Sequence, residues 1–193
     1  PGCGNCQSTG CDTLGIGCAD TYWADLNANV DAPRSEINAT TGEYTYPFSI
    51  APSGPSTIRA RIQVLPADID PSQNSGAQYW IEGQYVEPGE SVWGVQNNNA
   101  SCRAVRFTSS TNCTGLSPTQ FRIPAVTRWP DVDANATVVE VYTDETGQGG
   151  EGIAAGLLHF GNAASSNSNG SHHYEYLIHN QTSHRSVGSF SIP

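Results

Sequence analysis

Residues 172–193 read HHYEYLIHNQTSHRSVGSFSIP, and this stretch decides the class of fold. Along residues 172–179 the side chains alternate, with Tyr174, Tyr176 and Ile178 on one face and more polar side chains on the other. Alternation among aromatic and β-branched residues predicts a β-strand. Asn, Gln, Thr and Ser then predict a turn, and the following apolar residues predict a short returning strand.

Two strands alone are not stable in water, so this hairpin requires further strands to form a sheet. The clearest of these is residues 57–65, where Ile58, Ala60, Ile62 and Val64 are expected to face the core. About nine short strands at roughly ten-residue spacing predict an all-β fold, a single β-sandwich of the jelly-roll or immunoglobulin-like kind. The predicted strands cover residues 44–50, 57–65, 78–86, 103–107, 120–128, 137–143, 153–160, 172–179 and 187–192.

The first 20 residues differ from the rest in composition and are predicted to form a Cys/Gly-rich N-terminal extension. Within it Leu14 and Ile16 alternate with glycines, the pattern of a thin strand. We therefore divide the chain into an extension, residues 1–20, and a β-sandwich domain, residues 21–193. A chain of 193 residues can bury a sizeable core without a cofactor.

Charge and composition exclude several classes of partner. Charged residues make up 13% of the chain, the net charge is −10, and all basic residues are Arg. A basic face for nucleic acid is therefore not expected. No apolar run approaches the roughly 20 residues that span a bilayer, so no membrane is expected as a partner. The chain opens on Pro1 and not on Met, without a basic-then-apolar leader, and we therefore expect a mature or truncated form whose export signal has been removed.

The six cysteines point to an oxidising compartment. An even count in a chain rich in Ser and Thr favours disulfides and a secreted, extracellular protein. Cys102 and Cys113 would close a short hairpin if oxidised. The spacing of the other four does not match the common zinc or iron–sulfur patterns, and their mutual pairing is left open. These four are Cys3, Cys6, Cys11 and Cys18.

No metal site or cofactor is expected. The five histidines have no spacing that supplies a third ligand on one face, and they are interpreted as surface residues. Asp131, Asp133 and Asn135 resemble the opening of a calcium loop, but Ala136 stands where the turn requires Gly. Residues 68–70 offer only a weaker version of the same pattern, so structural calcium is not expected at either loop.

No catalytic constellation is predicted, and we expect no enzymatic activity. The G-x-S-x-G nucleophile elbow is absent. Paired carboxylates for glycoside hydrolysis could come only from ordinary outward strand positions. The tryptophans are interpreted as core residues, with a sugar-stacking platform as the alternative. The carboxylates are Glu82, Glu87, Glu140 and Glu175, and the tryptophans are Trp23, Trp80, Trp93 and Trp129.

Asn-x-Ser/Thr sequons are more frequent than chance predicts, and most fall in predicted turns, where a glycan can be carried. A sixth sequon, at Asn112, is set aside because its middle residue is Cys113. N-linked glycans are therefore predicted at Asn38, Asn99, Asn135, Asn169 and Asn180.

Several segments together resemble a group of uncharacterised secreted bacterial proteins. The segments are HHYEYLIHNQTSHRSVGSFSIP (172–193), NVDAPRSEINATTGEYTYPFSI (29–50), RARIQVLPADIDP (59–71) and IEGQYVEPGES (81–91). The resemblance implies an extracellular β-rich domain and brings no active-site residues with it. Some extracellular, pilus-like filament subunits are similar in outline, since they combine a sandwich with an extension that docks elsewhere.

The sequence thus favours a structural subunit of an extracellular filament or surface assembly that polymerises with other copies of itself. Leu14 and Ile16 would enter a neighbouring subunit when the extension adds a strand to its sheet. Such head-to-tail contacts do not close and build open polymers. The alternative is a secreted carbohydrate-binding or adhesin-like module that uses exposed aromatic residues.

Overall fold

The protein is represented by a computed structural model that describes residues 34–49, 53–55, 57–59, 62–143 and 155–192. The chain divides into two compact units, residues 1–33 with 50–62 and residues 34–49 with 63–193. The sheets and helices described below belong to the second unit. The predicted boundary at residue 20, Leu14, Ile16, Trp23 and the four N-terminal cysteines lie outside the described residues.

The first sheet is antiparallel and is organised around one long central strand. This strand pairs with one neighbour along one edge and with two shorter strands along the other. The strands are β1 (Tyr79–Gln84), β2 (Ala100–Ser109), β3 (Asn112–Gly115) and β4 (Gln120–Phe121), with β2 at the centre.

The second sheet has three antiparallel strands in the order β5, β6, β7. They are β5 (Thr137–Thr143), β6 (Gly156–Ser166) and β7 (His172–Asn180). The hairpin between β6 and β7 turns at residues 167–170, where Gly170 adopts a φ of 82° that other residues rarely reach.

Helices are short and lie either before β1 or between strands. The α-helices are α1 (Pro66–Ile69), α2 (Pro88–Val92) and α3 (Trp129–Val132), and each has Pro at its first or second position. Proline suits the start of a helix because its missing N–H has no partner there. Among the described residues, 3-10 helices cover Arg34–Glu36, Gln96–Asn98 and Ala125–Arg128, and the last of these runs directly into α3.

The core of this unit lies at the two central strands. Small and aliphatic side chains of β2 and β6 are the most deeply buried, because a central strand is covered along both edges and on at least one face. The buried apolar residues of these strands are Ala100, Cys102, Val105, Leu157, Leu158 and Ala163.

The predicted all-β class is confirmed, since most regular structure lies in two antiparallel sheets. The strands predicted at residues 78–86, 103–107, 137–143 and 172–179 are all present. The strand predicted at 153–160 is present from Gly156 and continues beyond the predicted end to Ser166.

The prediction of a strand at residues 57–65 is wrong for the residues of that range that the structure describes, 57–59 and 62–65. Residues 57–59 form a turn in which the carbonyl of Pro55 accepts from Ile58 and Arg59, and residues 62–65 have no regular structure. Ile62 is 89% exposed and does not face a core. Alternating side chains alone cannot form a strand, because the backbone N–H and C=O groups of a strand need a neighbouring strand as their hydrogen-bond partner.

Three further strand predictions are wrong in whole or in part. Residues 187–192 have no regular structure, and the predicted strand at 120–128 shortens to Gln120–Phe121 before helical structure begins at Ala125. Of the predicted strand 44–50, residues 44–49 are described, and among these only Tyr44 pairs, through an isolated bridge to Ile37. Pro47 and Pro124 explain two of these outcomes, because proline removes a backbone donor and restricts the residue before it.

Candidate functional site

The two sheets meet at an ion pair between Glu82 of β1 and His179 of β7. The imidazole Nε2 of His179 lies 3.2 Å from Oε1 of Glu82, and both side chains are less than a third exposed. The other carboxylate oxygen of Glu82 accepts a hydrogen bond from the backbone N–H of Ala125 at 2.6 Å. A carboxylate at the start of a helical segment is favourable because the first N–H groups have no partner within the helix.

The electrostatics of Glu82 favour its ionised form. Burial by itself raises the pKa of this carboxyl group. The hydrogen bonds from His179 and from Ala125, together with the positive charge that His179 and His159 can carry, outweigh burial and hold the pKa below its usual value. The site therefore contains a partly buried carboxylate that is negatively charged at neutral pH.

His159 of β6 is a buried residue, which corrects the prediction that the histidines lie at the surface. It is directly opposite His179 across the β6–β7 pair, with ring centroids 5.5 Å apart. Its side chain is fully buried, and its Nε2 lies 2.8 Å from Oε1 of Gln181. The sequence contains a signal for this burial, the apolar run Leu-Leu-His-Phe around His159. Alternation along a strand places His159 on the same face as Leu157, which is buried.

The hydrogen-bond partners define the tautomer of His159. The side-chain nitrogen of Gln181 donates to the carbonyl of Asn97 at 2.8 Å, so its oxygen must face His159 and accept. Nε2 of His159 is therefore the donor, and Nδ1 carries the lone pair in the neutral ring. Within the described part of the chain, neither Nδ1 of His159 nor Nδ1 of His179 has a hydrogen-bond partner, although both atoms are buried.

Next to the Glu82–His179 pair an open groove of about 500 Å³ is walled by two tryptophans, Trp80 of β1 and Trp129 of α3. Its other lining residues are mainly aliphatic, with Gln78 as a further polar group. Both tryptophans are partly exposed, so they are neither the fully buried core residues first predicted nor free surface residues. Trp93, by contrast, is 81% exposed and lies outside this groove.

A glycine positions one wall of the groove. A Cβ atom on Gly161 of β6 would lie 2.9 Å from Cζ3 of Trp129, closer than carbon atoms normally approach. The absence of a side chain at this position therefore lets the indole ring pack directly against the strand.

The turn after β7 is buried and polar, and it connects three segments of the chain. The hydroxyl of Thr182 accepts from the backbone N–H of Leu157 at 2.9 Å and donates to the side chain of Asn97. Its carbonyl accepts from the hydroxyl of Thr40, which in turn accepts from the N–H of His184. Since Thr40 and Thr182 are fully buried, this network is part of the interior and stabilises the fold.

A second open cleft, of about 680 Å³, lies between residues 35–45 and residues 180–186. Its lining is mostly polar and includes Glu36 and Glu43. The carboxylate of Glu36 accepts from both the N–H and the hydroxyl of Ser49, at 2.8 and 2.6 Å. That carboxylate therefore serves to hold the local backbone.

The predicted disulfide between Cys102 and Cys113 is not formed, and both thiols are free. Cys102 lies opposite Glu82 and Gln120, whereas Cys113 lies opposite Phe107, five residues further along β2. Five residues of strand separate the two positions by about 17 Å, far beyond the roughly 7 Å that a disulfide can bridge between Cα atoms. Burial raises the pKa of the Cys102 thiol, a contribution that Glu82 increases and Arg128 opposes.

The sequons differ in how accessible their side chains are. Asn135 and Asn169 are exposed, and Asn169 lies in the β6–β7 turn. Asn38 and Asn99 are part-buried and hydrogen-bonded to neighbouring residues, which limits the space for a glycan. Asn180 donates through Nδ2 to the carbonyls of Ser183 and Arg185, and the next two residues are fully buried.

The remaining candidate residues are not brought together. Glu87, Glu140 and Glu175 do not line the groove that holds Glu82. Asp131 pairs with Arg128 at 3.0 Å, and Asp133 accepts hydrogen bonds from Asn135. Among the described residues no group of three or more His, Cys, Asp or Glu side chains is arranged to hold a metal ion.

Comparisons with known proteins add no identification. No helix in the described part of the chain combines the length and apolar character needed to cross a membrane. No protein-family model, no curated protein sequence and no solved structure matches this chain.

Proposed function

We propose that the chain is a structural subunit of an extracellular assembly, in which copies associate through one face of the second sheet. The observation that supports this is an exposed face without charge, called here the uncharged face. It is formed by alternate residues that are paired across the three strands. Its central members are Val139 and Val141 of β5, Phe160 of β6, and Tyr174, Tyr176 and Ile178 of β7, and they surround the buried side chain of Leu158.

The uncharged face is apolar and largely open. Val139 is 51% exposed, Tyr174 56% and Tyr176 44%. In the C-terminal segment, the ring of Phe190 lies 6.4 Å from that of Tyr176. Contiguous apolar surface of this kind is uncommon on monomers and is typical of interaction sites.

The charge distribution favours another copy of the chain as the partner. No Asp, Glu or Arg of β5, β6 or β7 points to the uncharged face, while Glu140 and Glu175 point to the opposite one. With a net charge of −10, two copies repel each other over most of their surface. A face without carboxylates is where two copies can approach and bury apolar area.

Open strand edges offer a second mode of association. Among the described strands, β5 and β7 each pair with β6 only, so each has one edge to which a strand can be added. The proposal retains the N-terminal extension, residues 1–20, as the segment that supplies this strand, with Leu14 and Ile16 entering the neighbouring subunit. It also retains a single sandwich, export from the cell, glycans, and disulfides among Cys3, Cys6, Cys11 and Cys18.

A pair of charge substitutions tests the proposal. Val139→Glu places a carboxylate on the uncharged face, whereas Ile81→Glu places one at a strand position of equal exposure on the other sheet, 52% against 51%. We expect Val139→Glu to abolish polymers in electron microscopy and to leave, in analytical ultracentrifugation, only short oligomers that are joined through the extension. Ile81→Glu should assemble like the unmodified chain.

Deletion of residues 1–20 separates the two modes of association. If the extension supplies a strand, the deleted protein should stop at short oligomers formed through the uncharged face. A native protein that is monomeric at all concentrations would contradict the proposed function. Polymers that persist in Val139→Glu would contradict the role of the uncharged face.

A further inference from the structure

We propose that the groove between Trp80 and Trp129 binds an oligosaccharide built of uncharged pyranose units. The groove adjoins the uncharged face at Ile178, which belongs to both, but the inference does not depend on assembly. The groove, of about 500 Å³, lies within the range of roughly 300–1,000 Å³ that small-ligand sites occupy. Mostly apolar walls with a few placed polar groups are the usual composition of such sites.

The two tryptophans supply flat apolar walls. Trp80 is carried by β1 and Trp129 by α3, so rigid secondary structure positions both rings. Trp129 is further held by its close contact with the backbone at Gly161. The C–H face of a pyranose ring packs well on an indole face, and partial exposure leaves both rings accessible to a ligand.

Glu82 supplies the polar contact that a sugar requires. A carboxylate has about four acceptor sites, and the known partners of Glu82, Ala125 and His179, use one site on each oxygen. The remaining sites can accept hydrogen bonds from ligand hydroxyls. Gln78, at the exposed end of the groove, can both donate and accept.

The charge of the groove defines the class of sugar. Glu82 is ionised at neutral pH because its hydrogen bonds hold its pKa low. No Arg lines the groove, its one histidine, His179, is already paired with Glu82, and the net charge of the chain is −10. Carboxylated or sulfated saccharides are therefore repelled, whereas uncharged hexose or pentose units are accepted.

The experiment uses the full chain and four defined hexasaccharides. Cellohexaose, xylohexaose and mannohexaose represent uncharged pyranoses, and hexagalacturonate represents the acidic class. Binding is measured by isothermal titration calorimetry and by tryptophan fluorescence. We expect at least one uncharged hexasaccharide to bind and hexagalacturonate not to bind.

Substitutions then locate the site. Trp129→Ala should weaken binding by about tenfold or more, and Glu82→Gln by a smaller factor. Trp93→Ala is the matched control, since Trp93 is 81% exposed and outside the groove, and it should leave affinity unchanged. Trp129→Phe keeps an aromatic ring, and it replaces Trp129→Ala in the binding measurements if circular dichroism shows that Trp129→Ala is unfolded.

Three results would overturn the inference. The first is the absence of binding by every uncharged hexasaccharide at millimolar concentration. The second is equal binding of hexagalacturonate. The third is an affinity that falls in Trp93→Ala but not in the folded groove variants.

Discussion

The imidazole Nε2 of His159 lies 2.8 Å from the side-chain oxygen of Gln181, and both residues are fully buried. This contact extends a polar chain that starts at Glu82 on the first sheet, crosses to His179 and His159 on the second, and ends at the carbonyl of Asn97. A shift in the pairing of the strands would break the contacts from Glu82 to His179 and from His159 to Gln181, so these contacts favour the observed arrangement.

Replacing His159 by Leu should destabilise the protein. The substitution keeps an apolar side chain in the interior but leaves the oxygen of Gln181 without its donor, which costs about 1–3 kcal/mol in the free energy of unfolding. Urea denaturation followed by circular dichroism measures the loss. The control is His173→Leu, at a side chain 61% exposed, where a change below about 0.5 kcal/mol is expected. Equal stability of the two variants would show that the buried contact contributes nothing.

Stability should fall in acid because of Glu82. Its pKa is lower in the folded protein than the ordinary value of 4.5, so its contribution is complete above that value. The contribution is lost as the pH falls below 4.5 and through the lower folded pKa, because the unfolded chain then binds the proton more readily.

Glu82→Gln should therefore be less stable than the unmodified chain at pH 7, and the difference should shrink towards pH 3. Thermal unfolding at pH 7, 5, 4 and 3 measures this convergence. Glu175→Gln, at a side chain 55% exposed, is the control and should follow the unmodified chain. A constant difference between Glu82→Gln and the unmodified chain would contradict the assigned pKa direction.

Three glycine substitutions separate backbone strain from steric contact. Gly42 has a φ of 75°, and a Cβ there would collide with the backbone of Glu87 and Pro88. Gly76 has a φ of 80° with open space around it, and Gly188 has neither feature. Alanine should cost about 1–2 kcal/mol at Gly76, more at Gly42, and almost nothing at Gly188. Urea denaturation checks this order, and equal losses at Gly42 and Gly76 would contradict the close contact.

The two described cysteines should react differently. Iodoacetamide at pH 8 should alkylate the exposed Cys113 in the native protein, whereas Cys102 is buried and its raised pKa keeps it protonated. Trypsin separates them into residues 62–103 and 107–122, so mass spectrometry can follow each thiol. Cys102 should react only after unfolding. A disulfide-linked pair of these peptides would contradict the register of β2 and β3.

Local patterns were sufficient for several strands. The residues that became β1, β5 and β7 alternate strongly, and each strand was predicted close to its observed bounds. Residues 57–65 alternate just as clearly, yet their described residues form a turn and an irregular segment. The observed strands β1, β5 and β7 each have a neighbouring strand to pair with, whereas the described part of residues 57–65 does not. Whether a neighbour is present depends on residues that are distant in the sequence.

The candidate site likewise depends on contacts between distant residues that the sequence does not indicate. Glu82 appeared among the possible carboxylates and His179 among the histidines, but nothing in the sequence indicated that they meet. Trp80 and Trp129 likewise come from β1 and from α3, and α3 lies beyond the end of the strand predicted at residues 120–128.

The sequence by itself determined the all-β class, because alternation with a period of two and frequent turn residues depend only on neighbouring positions. Tertiary structure decided that His159 is buried, that Cys102 and Cys113 stay apart, and that Glu82 meets His179 across two sheets. Each of these depends on strand register and on sheet packing, which are set by contacts between residues far apart in the chain.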